Sequence, residues 1–108
     1  MGAQINISIA LPAGNPEVTL NGANEFTITG TISPSDPTYV VAGYLIRSAD
    51  LATRINGVVI NQTADSYTMR FTVPAGQQHV SLNLIVVAED GNDTGGSGMS
   101  IRCVPQPP

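Results

Sequence analysis

Apolar and polar residues alternate with a period of two along most of the chain, and no window of useful length sustains helical spacing. Ile5, Ile7, Ile9 and Leu11 alternate with Asn6, Ser8 and Ala10 until "PAGNP", where two prolines and a glycine preclude a continuing strand. A short "EVTL" precedes "EFTITGTI", in which Phe26, Ile28 and Ile32 share a face and Gly30 leaves room for a neighbouring backbone. "SPSDP" then leads into "TYVVAGYLIRS", apolar on both faces, which predicts a central strand either covered on both sides or lying at an interface. Asn56-Gly57, between "TRI" and "VVIN", predicts a hairpin turn, because both residue types tolerate positive φ.

Downstream, "SYTMRFTV" sets Tyr67, Met69, Phe71 and Val73 against Thr68, Arg70 and Thr72, a half-buried strand that Pro74 ends. "HVSLNLIVVA" places Val80, Leu82, Leu84, Val86 and Ala88 on one face, and "GMSIRCV" does the same for Met99, Ile101 and Cys103. About seven short strands punctuated by turns predict an all-β Greek-key β-sandwich over residues 1–104, followed by a Pro-rich tail at 105–108. Its expected core holds Ile7, Phe26, Ile28, Leu45, Tyr67, Met69, Phe71, Leu82, Leu84, Val86 and Ile101.

Composition narrows what such a sandwich can do. At 108 residues the chain has the size of one domain with one core. Its net charge is −4, its four cations are all arginines and it has no lysine, which argues against the clustered basic surface that nucleic acid requires. Only 11% of the residues are charged, against roughly 25% in an average soluble domain. The surface is therefore neutral and hydroxyl-rich. The single cysteine excludes an internal disulfide and a cysteine-based metal cluster. No apolar run approaches the ~20 residues of a membrane span, so membrane insertion is not expected.

The stretches "ADSYTMRFTVPAG", "LNLIVVAEDGN" and "MSIRCV", with the glycine in "ITGTIS", give the chain a resemblance to the bacterial and phage immunoglobulin-like modules. The resemblance covers roughly residues 5–104. It rests on a glycine in the second strand, an aromatic residue opening the fifth, and a sixth strand ending in Ala, an acidic residue, Gly and Asn. It implies an immunoglobulin-like Greek-key arrangement and an interaction role, and it departs from antibody domains in having no Trp and no Cys pair.

In that arrangement "EDGNDTGGSG" joins the last two strands and shares one end of the sandwich with "SPSDP", so that Asp36 faces Asp90 and Asp93. Asp90, Asn92, Thr94 and Gly95 match the first half of a calcium loop, which makes Asp36, Asp90, Asn92 and Asp93 the candidate calcium ligands. Position twelve of that loop is Ile101 where the bidentate Glu is needed, and Asp, Asn and Gly are also what a positive-φ turn demands. The turn reading is preferred, and no metal or other cofactor is assigned.

Catalytic candidates are sparser still. His79 is the only histidine, Ser81 follows it without an evident third partner, and Glu89-Asp90 point apart in an extended chain. No enzyme is expected. Cys103 alternates with Met99 and Ile101 and reads as a small buried hydrophobe. A glycan would want an exposed aromatic platform, and only Tyr39 or Tyr44 can supply one, from the second face of their strand.

Two functions fit: a phage virion surface protein, as a capsid decoration or accessory module, or a stalk or adhesion module of an exported bacterial surface protein, with glycan as a possible ligand. The Met start and the absence of a basic, apolar leader favour the virion surface over the cell exterior. The expected partner is a capsid or other surface protein, or a second copy of the chain. Val40, Tyr44 and Ile46 are the candidate contact residues, because they cannot all be inside if Val41 and Leu45 are.

Overall fold

The computed structural model describes residues 4–12, 16–51 and 53–107. Nine strands are present among them: β1 (Asn6–Ile7), β2 (Glu17–Thr19), β3 (Glu25–Ser33), β4 (Val40–Arg47), β5 (Arg54–Asn56), β6 (Val58–Gln62), β7 (Ser66–Thr72), β8 (Ser81–Glu89) and β9 (Thr94–Val104). One short 3-10 turn, Ala75–Gln77, separates β7 from β8. The strands form a four-stranded sheet, β1-β3-β7-β6, and a five-stranded sheet, β2-β9-β8-β4-β5. Their inner faces pack together, so the protein is a β-sandwich.

Alternation explains the core directly. Phe26, Ile28 and Ile32 from β3 and Tyr67, Met69 and Phe71 from β7 face Val41 and Leu45 from β4, Leu82, Leu84, Val86 and Ala88 from β8, and Ile101 and Cys103 from β9. Of the expected core only Ile7 is merely half-buried, because β1 is two residues long and lies at the sheet edge. Phe26 and Phe71 sit opposite each other in the ladder and stack with ring centroids 5.3 Å apart.

Gly30 does what its place in the strand predicts. A Cβ there would run into the carbonyl oxygen of Ser8 and the ring of Tyr67, its cross-strand partner. The missing side chain lets the Tyr67 hydroxyl reach past β3 and donate to the Ser8 carbonyl at 2.7 Å, tying the edge segment to the third strand of its sheet. Burial pushes the Tyr67 phenol up to about 12.

Three expectations are corrected. The alternating run from Ile5 to Leu11 is not one continuous strand: after Ile7 it stays beside β3 through hydrogen bonds between Ser8 and Thr31 and an isolated bridge at Ala10, and the chain rejoins the opposite sheet as β2. Residues 13–15 of the "PAGNP" break lie outside the described residues. Asn56-Gly57 does not close a hairpin, since β5 pairs with β4 in one sheet and β6 with β7 in the other. Gly57 marks the crossing. Its backbone N–H donates to the Gly43 carbonyl, and a Cβ would come within 2.7 Å of the Met69 sulfur and 2.8 Å of the Phe71 ring. The glycine is required there for close packing between sheets and not for a turn. Finally, Gly95, Gly96 and Gly98 belong to β9, which is 11 residues long, and not to a flexible loop.

The remaining element is a parallel pair. β2 runs alongside the end of β9, with Glu17, Val18 and Thr19 opposite Arg102, Cys103 and Val104. Flanking bonds from Arg102 N–H to the Pro16 carbonyl and from Leu20 N–H to the Val104 carbonyl extend it. Val18 and Leu20 are buried against the core as a result.

Candidate functional site

Two places drew candidate residues from the sequence: the loops at one end of the sandwich and the outward side of β4. At the loop end, Asp36 in the β3–β4 connection accepts from the Thr38 N–H at 2.8 Å and the Thr38 hydroxyl at 2.6 Å through a single oxygen. Asp90 opens the β8–β9 connection and accepts from the N–H groups of Asn92 and Asp93 at 2.9 and 2.7 Å. Gly91 takes φ +94° between them, which completes a tight four-residue turn, 90–93. Those backbone donors hold the Asp90 carboxyl below its ordinary range.

Tyr39, buried at the start of β4, donates its hydroxyl to the Pro34 carbonyl at 2.6 Å, and Gln62 donates to the Tyr39 carbonyl at 2.7 Å. Burial, and after it the negative charges of Asp36, Asp90 and Asp93, raise the Tyr39 phenol above its usual value. All three aspartates thus act on the Tyr39 phenol through their charge. The bonded oxygens of Asp36 and Asp90 are engaged by their own loops, and among the described residues no three His, Cys, Asp or Glu side chains form a metal-holding group. Asn92 is exposed on the turn. Chemically this end can shape two turns.

His79 and Ser81 form no catalytic arrangement in this geometry. His79 takes φ +64° ahead of β8, is exposed, and donates its backbone N–H to the Cys103 carbonyl, while the Ser81 hydroxyl pairs with that of Ser48 at 3.3 Å. Cys103 is fully buried, and burial pushes its thiol up to about 11. A shallow recess of about 330 Å³ between β2 and β9 is lined by Pro16, Glu17, Ser81, Ser100, Ile101 and Arg102, with no ring on which a sugar could stack.

The outward side of the five-stranded sheet is a different surface. On β4, Val41, Gly43 and Leu45 point into the core, so Val40, Ala42, Tyr44 and Ile46 point out. Val40 is 62% exposed, and Tyr44 and Ile46 are half-buried among their neighbours. The Arg54 guanidinium lies 4.0 Å above the Tyr44 ring and donates to the Asn56 side chain at 3.1 Å, which fixes both rim residues. The 48–62 segment leaves the rest of this face open, because β5 lies beside β4 and β6 belongs to the other sheet.

Sequence reasoning missed the other half of the face. Ile85 and Val87 of β8 lie opposite Tyr44 and Ala42, and Val87 is 36% exposed. On the far side, Gly98 and Gly96 of β9 lie opposite Ile85 and Val87 and add no side chain at all. The continuous apolar run "LIVVA" carried that signal, since a strand apolar on both faces is the mark already noticed in β4. The glycines were hidden by their resemblance to loop residues. Of the two phenols proposed as a platform, Tyr39 is buried and Tyr44 has one ring face under Arg54. No protein-family model and no curated protein matches the chain, so the surface itself has to carry the functional reading.

Proposed function

We propose that the protein is a non-enzymatic interaction module that docks through the outer face of its five-stranded sheet, serving on a phage virion surface as a capsid decoration or accessory protein with an immunoglobulin-like fold. The observation that carries this reading is the apolar stripe formed by Val40, Ala42, Tyr44, Ile46, Ile85 and Val87, unscreened by any covering element among the described residues. Contiguous apolar surface of this kind is disfavoured on a solitary soluble domain and marks contact sites. The order of strands in the two sheets agrees with the immunoglobulin-like reading, and the low charge and hydroxyl-rich composition suit a surface module.

The test is co-sedimentation of the purified chain with virions of the phage that encodes it. Val40→Ser/Val87→Ser changes two exposed side chains and should abolish co-sedimentation while leaving the circular dichroism spectrum unaltered. Equal binding by the variant, or no binding by the wild type, would remove the reading.

A further inference from the structure

The outer face of the five-stranded sheet is complementary to itself, and we propose that it packs against the same face of a second copy of this chain, with the twofold axis along β8. This rests on the reading above that the face is a contact surface, and it names the occupant. The register determines what would meet. Across β9, β8 and β4 the outward residues form level rows: Thr94, Glu89, Val40; then Gly96, Val87, Ala42; then Gly98, Ile85, Tyr44; then Ser100, Asn83, Ile46.

A twofold axis along the central strand exchanges β9 with β4 and keeps each row level. Tyr44 then lies over Gly98 of the second copy, Ile46 over Ser100, Val40 over Thr94 and Ala42 over Gly96. In each row the β4 residue is at least as large as its β9 counterpart, so relief on one side meets hollow on the other. Ile85 and Val87 fall on the axis and meet their own copies, as do Asn83 and, in the outermost row, Glu89. An isologous contact requires this self-matching, and aligned sheets within about 30° of each other preserve the rows.

Charge and area agree with a second copy. The outward charged residues of the face, Glu17, Glu89, Arg54 and Arg102, lie at strand ends or edge strands and balance, although the chain carries −4. The face therefore carries no net charge of its own, and the Glu89 pair in the outermost row is its one like-charge contact on the axis. The three strands that carry these rows, about 4.8 Å apart and about seven residues long, present roughly 350 Å² per copy. The resulting total of about 700 Å² lies below that of a stable dimer and fits a weak, transient one.

Gly98 gives a clean test, because a Cβ there would make only ordinary contacts, 3.4 Å from the Leu84 carbonyl oxygen and 3.7 Å from Ile85 Cγ1. A side chain at this position is accommodated by the monomer and collides only with a facing Tyr44. Sedimentation velocity of the full chain from micromolar to millimolar concentration should show mass doubling. Gly98→Lys should weaken it at least about tenfold with the urea midpoint unchanged or raised, while Thr29→Lys on the opposite face should leave it alone. A wild type that stays monomeric at millimolar concentration overturns the proposal, as does a dimer insensitive to Gly98→Lys or equally sensitive to Thr29→Lys. A monomer that still co-sediments with virions overturns this inference and spares the functional reading; a dimer that ignores virions does the reverse.

Discussion

The central strands of the two outer faces are built on the same pleat and solve it with opposite chemistry, although the edge strand β6 also exposes Val58 and Ile60. On the four-stranded sheet β3 turns Thr27, Thr29 and Thr31 outward, and β7 sets Arg70, Thr68 and Ser66 opposite them. Arg70 also reaches Glu25 at 3.6 Å, an exposed pair that contributes little, and the Ser8 and Thr31 hydroxyls pair at 2.9 Å. Threonine keeps the β-branched shape that strands favour and offers water a hydroxyl. The five-stranded sheet keeps branched shapes in Val40, Ile46, Ile85 and Val87 but gives them no polar group. Folding required only the branching. The apolar outward side of β4 and β8 is therefore a property of that face's surroundings and not of the strands.

Comparing the faces also separates what belongs to each from what they share. Phe71 lies fully buried beneath both, so Phe71→Ala should cost about 3–5 kcal/mol and weaken the whole fold, as read from equilibrium urea denaturation. A loss under about 1 kcal/mol would mean the two sheets do not share this core.

Next in size are two glycines, one from each sheet. Gly30→Val forces a side chain against the Ser8 carbonyl and the Tyr67 ring and should destabilise by about 1–3 kcal/mol. Gly98→Thr gains strand propensity while making only ordinary contacts and should be neutral or stabilising by up to about 1 kcal/mol. If both substitutions shifted the urea midpoint in the same direction, the contrast between a packed and an open glycine would collapse.

Tyr67→Phe removes one hydrogen bond to the Ser8 carbonyl and should cost about 1 kcal/mol. Its titration sharpens the same point. The folded phenol sits at about 12, above its ordinary value of 10.0, so its contribution is intact below pH 10 and is lost as pH rises from there toward 12. Ultraviolet titration should show a late phenolate step that Tyr67→Phe deletes; a phenol ionising at its ordinary value would contradict the buried tie.

The smallest effect belongs to the acidic turn. The Asp90 carboxyl is depressed in the fold, so what it contributes is present above its unfolded value and fades as pH falls through the folded one. Asp90→Asn should make the acid side of a melting temperature versus pH curve slightly shallower. Melting temperatures with millimolar calcium and with chelator should coincide; an upward calcium shift that vanishes in Asp90→Ala would restore the metal reading.

Strand identity was legible wherever one face had to be buried, as in β3, β7 and β8, because alternation there has a single cause. It failed where one residue type serves two physical ends. Asn56-Gly57 carries the signature of a turn, yet Gly57 is small so that Met69 and Phe71 can occupy the space its side chain would fill. Gly95, with a Cβ that would strike the Ile5 carbonyl, and Gly96 and Gly98 read as loop although all three are paired with β8. The outward apolar side of β4 was visible in its doubly apolar run. Its continuation across β8 and β9 was not, because it depends on register between segments far apart in sequence. The engagement of Asp36 and Asp90 by their own backbone or neighbour could be read only from the loop geometry.

The parallel pairing of β2 with the end of β9 also decides how the molecule bears load. Tension that draws residues before Pro16 away from residues beyond Val104 pulls two side-by-side strands of the same direction along their own lengths. The bonds from Pro16–Arg102 through Leu20–Val104 are then strained together and must rupture as a group. An antiparallel pair pulled from the corresponding ends would instead open one rung at a time. Three paired residues and their flanking bonds thus form a shear clamp between those two strands.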